Sequence, residues 1–221
     1  VGGAGAGVGT GARRGTYLGA ALEPGGGIGG VRWRVPGRFQ WIGVPSTPGT
    51  HTRVRFWNVN GHELRLVGVR SFGGMWWVPP DVELTVGIPG LARLGPEPFS
   101  EAFNAPYLKR QLKNSSRPIK TALLDQALVA GVGNIYADES LFSAGIPPLT
   151  PAGRLTLAQL ERLRSSLVEV LTTSIGAGGT TFSDFRDLEG VNGNYGGQAW
   201  VYRRGGEPCR RCGTIIRRDK L

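Results

Sequence analysis

Cysteine is scarce in this 221-residue chain: it has two, Cys209 and Cys212, at C-x2-C spacing. A single such pair argues against a secreted, disulfide-stapled scaffold. No uninterrupted apolar run reaches about 18 residues, which argues against a membrane-spanning helix. The first residues are glycine-rich, without a basic start leading into an apolar core, so they do not read as a secretory signal. These absences predict a cytoplasmic protein. Acidic residues are also few: 26 Lys and Arg stand against 16 Asp and Glu, a net charge of +10, with a pI near 10.4. That excess fits a polyanionic partner, most simply nucleic acid, and it also fits a generically basic surface.

Residues 1–12, VGGAGAGVGTGA, are low in complexity and offer no large side chain to bury, so they are expected to stay an unpacked tail. Their glycines lack the strand–turn–helix setting of G-x-G-x-x-G, and no nucleotide site is read there. From Arg13 to Gly95 the signals are β. Tyr17–Leu22, Val31–Ile42, Val54–Val59, Glu63–Val67 and Met75–Val78 are short apolar or alternating runs. Glu23-Pro24-Gly25, Asn60-Gly61 and Pro79-Pro80 punctuate them as turns. Short strands with such turns predict a β-sandwich or barrel, with Trp76 and Trp77 in its core. Past the proline-bearing stretch 94–106 the signals become helical: Ala105–Lys113, a pair of helices within Arg117–Ile146, and Thr156–Ile175. The last carries a capping-box pair, Thr156 and Gln159, an apolar stripe of Leu160, Leu163, Leu167 and Leu171, and Gly176 as its stop. The fold class is α+β: a sandwich-like β-domain over 13–95, a helical domain over 96–199, and a cysteine-bearing end over 200–221.

The stretch RPIKTALLDQALVAGVGNIYADESLFSAGI, Arg117 to Ile146, organises the chain. Ile119, Leu123, Ala127 and Ala130 keep a helical period. Gly131 and Gly133 break it. Asn134 stands where an N-cap belongs, and Gly145 closes the second helix. A glycine turn opening a helix can seat a phosphate, because free amides and the helix dipole point at the anion. The same spacing also fits an ordinary helical hairpin.

The wording of this stretch resembles the helix–two-turn–helix motif of the formamidopyrimidine-DNA glycosylase and endonuclease VIII family. HTRVRF (His51–Phe56), ELRLVGVRSFGGMWWVPP (Glu63–Pro80), LGPEPFS (Leu94–Ser100), GGTTFSDFRD and GVNGNYGGQAWVYRR (within Gly178–Arg204) are similar to further family segments, in the family's order. The last of these is expected as a loop and lead-in strand. The resemblance implies base-excision repair: removal of oxidised purines such as 8-oxoguanine or formamidopyrimidine from double-stranded DNA, then strand cleavage at the abasic site, by a monomeric bacterial protein. It implies that Asn134 and Lys120 meet the DNA backbone and that Tyr202 holds a phosphate. Arg70 and Phe72 would enter the duplex where the damaged base is flipped out. Without the resemblance, Phe72 reads as β-core and Arg70 as a solvated charge.

The family's nucleophile is the amine of an amino-terminal proline, followed by a glutamate. An α-amine, with a pKa of about 7.7–8.0, is partly neutral near pH 7 and can attack the sugar. This chain opens Val-Gly-Gly, Thr16 replaces a family lysine in RRGTYL, and Val35 replaces a methionine. No catalytic residue is therefore assigned, and a non-catalytic damaged-DNA binder stands as the alternative. Cys209 and Cys212, in GEPCRRCG, resemble the first half of the family's four-cysteine zinc ribbon. Zinc takes four ligands in a closed structural site, so this pair alone is expected not to hold it stably. A redox role for the pair lacks a βαβ context.

Overall fold

The computed structural model describes residues 7–14, 17–23, 28–32, 37–44, 46–57, 60–68, 74–88, 90–181 and 191–219. The chain divides into two compact units, Val1–Ala92 with Gly178–Asn194, and Arg93–Ala177 with Tyr195–Leu221.

The first unit is β. Its strands are β1 (Gly7–Arg14), β2 (Tyr17–Glu23), β3 (Ile28–Arg32), β4 (Gly37–Ile42), β5 (Thr52–Trp57), β6 (Glu63–Gly68) and β7 (Gly74–Val78). They form two antiparallel sheets, ordered β1-β2-β3-β7 and β4-β6-β5. The expectation of an unpacked glycine-rich tail is corrected over residues 7–12. They belong to β1, which pairs with β2 from Gly7↔Glu23 to Arg14↔Tyr17. Main-chain N–H and C=O groups suffice for a ladder, whatever the side chains. Val31–Ile42 is likewise two strands, β3 and β4.

Register sorts the second sheet by chemistry. Leu64 and Leu66 of β6 oppose Trp41 and Phe39 on one side and Phe56 and Val54 on the other, giving one apolar face. Glu63 and Arg65 occupy the opposite face and are buried. Arg65 Nε and Nη2 donate to the two Glu63 oxygens at 2.7 and 2.9 Å. Arg55 also pairs with Glu63, and the Arg65 guanidinium continues to the carbonyls of Ser46 and Thr47. The Arg65 and Arg55 hydrogen bonds pull the Glu63 carboxyl down to about 2. In β7, Val78 is buried and Trp76 packs with Tyr17 at 6.2 Å between ring centroids. Trp77 points the other way and is 61% exposed, which corrects its expected place in the core. Strand alternation sends neighbours to opposite faces, so two successive tryptophans cannot share one. A short helix, α1 (Leu84–Gly87), follows.

The second unit is helical: α2 (Ala105–Gln111), α3 (Ile119–Leu123), α4 (Asn134–Ala144), α5 (Leu157–Gly176) and α6 (Tyr195–Gln198). Its core gathers Phe103, Leu108, Leu112, Ile119, Leu123, Leu141, Leu155, Leu160, Leu163 and Leu167, all nearly without exposure. Local chemistry sets the helix ends. Asn104 accepts the Tyr107 amide at 2.8 Å and starts α2. Thr156 and Gln159 form the expected capping box of α5. Gly145, at φ 67°, closes α4, with the Ile146 amide returning to the Leu141 carbonyl at 2.9 Å. The expected lead-in strand before Trp200 is instead the helical turn α6, with Tyr195 buried. Among the described residues no helix is long and apolar enough to cross a membrane.

Candidate nucleic-acid interface

The turn between α3 and α4 is shaped by side chains. Sequence periodicity extends a helix from Ile119 to Ala130, but α3 stops at Leu123. Asp125 takes the Ala127 amide at 3.0 Å, and this bond, with the Arg117 ion pair, lowers the Asp125 carboxyl. The Gln126 amide spans the turn, accepting from Gly131 N–H at 2.8 Å and donating to the Val132 carbonyl at 2.9 Å. Such side-chain bonds compete with the helix ladder and end it. The outer flank is fixed by Gly95 N–H to Gln126 O (2.8 Å) and Ala130 N–H to Pro96 O (3.0 Å). Gly131 then takes φ 82°, a conformation natural to glycine.

α4 begins one residue earlier than expected. Gly133 is its N-cap, and Asn134 is the first helical residue, exposed to solvent. Asn134 therefore does not cap its own helix, and no side chain caps the first turn of α4. One turn further on, Asp138 holds Lys120 of α3: Nζ lies 2.8 Å from Oδ1 and 3.0 Å from Oδ2. Residues 134 and 138 are four apart and share a helix face, so Lys120 and Asn134 are brought to one side of α4.

The next residue serves a second segment. Glu139 is 1% exposed, and its carboxylate accepts three main-chain amides: Trp200 N–H at 2.8 Å, Val201 N–H at 2.9 Å and Tyr202 N–H at 2.8 Å. A buried carboxylate needs such partners to be tolerated. One helix thus positions Lys120 through Asp138 and Tyr202 through Glu139. Phe142 stacks on Trp200 at 6.1 Å, and Arg211 lies over the Phe142 ring at 4.8 Å. Tyr136 meets Ser174 of α5 at 2.9 Å. Burial, then the nearby Glu139 charge, pushes the Tyr195 phenol up to about 12.

Sequence reasoning missed Asp138 and Glu139. Both are acidic residues in a helix, which read as solvated surface, and the amides that Glu139 gathers lie more than sixty residues downstream. Of the expected site residues, Lys120, Asn134, Tyr202, Cys209 and Cys212 all fall in the second unit. Thr16, Val35, Arg70 and Phe72 lie outside the described residues.

Cys209 and Cys212 sit on a hairpin closed by the Pro208↔Ile215 bridge and by Cys209 N–H to Thr214 O at 2.8 Å. The Arg211 amide points at Cys209 Sγ, 3.4 Å away. Hydrogen bonds from Thr214, and then from Cys209, push the Cys212 thiol down. Two thiols are half of a closed zinc site, and among the described residues no third ligand joins them. These residues alone do not fit the metal.

A family model described as the formamidopyrimidine-DNA glycosylase H2TH domain matches residues 94–186. The formamidopyrimidine-DNA glycosylase of Parasynechococcus marenigrum is 90% identical over all of this chain and 80% of its own length. The crystal structure of MutM (Fpg) from Thermus thermophilus is 39% identical, covers 98% of this chain and 79% of its own, and superposes with a TM-score of 0.87. Lactococcus lactis Fpg, solved in complex with DNA containing an abasic site, is 29% identical, covers 98% of this chain and 78% of its own, and has a TM-score of 0.88.

Proposed function

Because this chain belongs to the formamidopyrimidine-DNA glycosylase and endonuclease VIII family, we propose that it is a DNA repair glycosylase. In this reading it excises oxidised purines from duplex DNA and cleaves the strand at the abasic site, as a monomer in the bacterial cytoplasm. The observation that carries the reading is the arrangement on α4. Asn134, Lys120 held by Asp138, and the Tyr202 segment held by Glu139 converge on one helix of a chain with a net charge of +10.

Each part has a physical role. Asn134 and the first turn of α4, which no side chain caps, receive a backbone phosphate, assisted by the helix dipole. Lys120 donates to the same backbone, and Tyr202 adds a second phosphate contact. These contacts fix the position of the duplex without reading bases. Arg70 and Phe72 fill the gap left by the flipped base, which offsets an unstacking cost of a few kcal/mol. In the chemistry the family implies, an amine bonds to sugar C1′ as the bond from C1′ to the base breaks. The resulting iminium acidifies the neighbouring sugar proton, and phosphate is eliminated.

Thr16, where the family carries a lysine, favours a second reading: a binder of damaged DNA without catalysis. Borohydride trapping of the full-length protein on duplexes carrying 8-oxoguanine or an abasic site separates the two. A covalent protein–DNA adduct supports the enzyme. Preferential binding of the damaged duplex without an adduct supports the binder. No adduct, together with equal affinity for damaged and undamaged duplexes, refutes both.

A further inference from the structure

We propose that Asp138 is the internal counter-charge that positions Lys120 and restrains its long-range pull on DNA; this rests on the phosphate-binding reading of Lys120 and Asn134 above. Both Asp138 oxygens lie within 3.0 Å of Lys120 Nζ. The two side chains are 23% and 16% exposed, so the contact is sheltered and not a loose surface encounter. The main chain at Lys120 is fixed as well: its N–H donates to Pro148 O at 3.2 Å, and its carbonyl accepts from Leu124 N–H at 3.2 Å. The pair fixes what remains mobile, the four-carbon stem.

Two consequences follow from the pairing. Lys120 and Asp138 sum to zero charge, so beyond a Debye length of about 8 Å they contribute little to the attraction of a polyanion. At contact the ammonium, with three N–H donors and no acceptor, still has a proton to offer a phosphate oxygen. Lys120 therefore acts through geometry: it rewards a phosphate seated at Asn134, while the carboxylate one turn away repels one that is misplaced. Asp138 is thus a positioning and specificity-determining residue. A freed lysine would strengthen loosely placed complexes more than the registered one.

The test is Asp138→Asn in the full-length protein, with affinity for an undamaged duplex and for an abasic-site duplex measured across salt concentrations. Restoring one net positive charge makes the slope of log K against log salt more negative by about 0.9. Undamaged duplex is expected to bind roughly threefold to tenfold tighter at low salt, which shrinks the preference for the abasic duplex. Asp138→Glu, which keeps the charge, restores the wild-type slope. An unchanged slope in Asp138→Asn, or weaker binding at the same slope, overturns the proposal and leaves Asp138 with a structural role in α4. Lys120→Ala separates this from the premise: if it changes neither affinity nor slope, the phosphate reading itself fails.

Discussion

Replacing Glu139 with glutamine tests whether one buried carboxylate holds the Tyr202 segment on α4. The carboxylate accepts two amides at Oε1, from Val201 and Tyr202, and one at Oε2, from Trp200, with 1% of the residue exposed. Glutamine has one acceptor oxygen. If that oxygen keeps the Val201 and Tyr202 amides, both bonds fall from charged to neutral, at about 1 kcal/mol each. The glutamine NH2 then faces the Trp200 N–H, donor against donor, and leaves both without partners at a further cost of about 1–3 kcal/mol. The sum, roughly 4 kcal/mol, is large against a typical domain stability of about 5–15 kcal/mol. It is concentrated in one contact, so local detachment should precede global unfolding. Hydrogen exchange at Trp200, Val201 and Tyr202 reads it directly: protection should fall by roughly a thousandfold, the equivalent of about 4 kcal/mol. Trp200 emission should shift red as the ring leaves Phe142. If the three amides stay protected to within about tenfold, the carboxylate is not what anchors the segment, and the positioning of Tyr202 needs another cause.

Two further perturbations test the framework around the site. Gly95→Ala would place a Cβ 2.5 Å from the Ala127 carbonyl oxygen and 2.7 Å from the main chain of Leu128; main chain cannot yield as a side-chain tip can, so thermal melting should show a loss of about 2 kcal/mol or more, and an unchanged Tm would refute the close packing of the α3–α4 turn. Glu63, held at about 2 in the folded state against about 4.3 unfolded, should contribute stability that is complete above pH 4.3 and lost as pH falls toward 2. Denaturant unfolding between pH 5 and 2 should show a shallower loss in Glu63→Gln than in the wild type, and equal slopes would refute the claim.

Features written in a few neighbouring residues were legible in the sequence. Thr156 and Gln159 announced their capping box, Gly145 its left-handed cap, and Leu160, Leu163 and Leu167 a buried stripe. Hydrophobic period failed at the first helix of the pair because Asp125 and Gln126 spend their side chains on nearby amides, a competition that apolar spacing does not register. β1 was hidden because its pairing uses the backbone. Glu63-Leu64-Arg65 alternates like a half-exposed strand, yet its charged side is buried by mutual neutralisation. At the site, Lys120, Asn134 and Tyr202 could be singled out by their likeness to a family. The acids that place Lys120 and Tyr202 could not, because their meaning lies in residues 18 to 63 positions away.

Gly133 is glycine without any internal need to be. Its φ of −119° and ψ of 179° suit any residue, and a Cβ there would meet nothing within 4 Å. Serine or aspartate would fit and would cap α4 slightly better, by a few tenths of a kcal/mol. Such a side chain would also occupy the doorstep of the first-turn amides, the space that a phosphate would need. In the phosphate-binding reading proposed above, the open space at Gly133 is left for the DNA backbone. On that reading, a screen for stability alone would fill the space, and the variants it selected would be sturdier proteins that hold DNA less well.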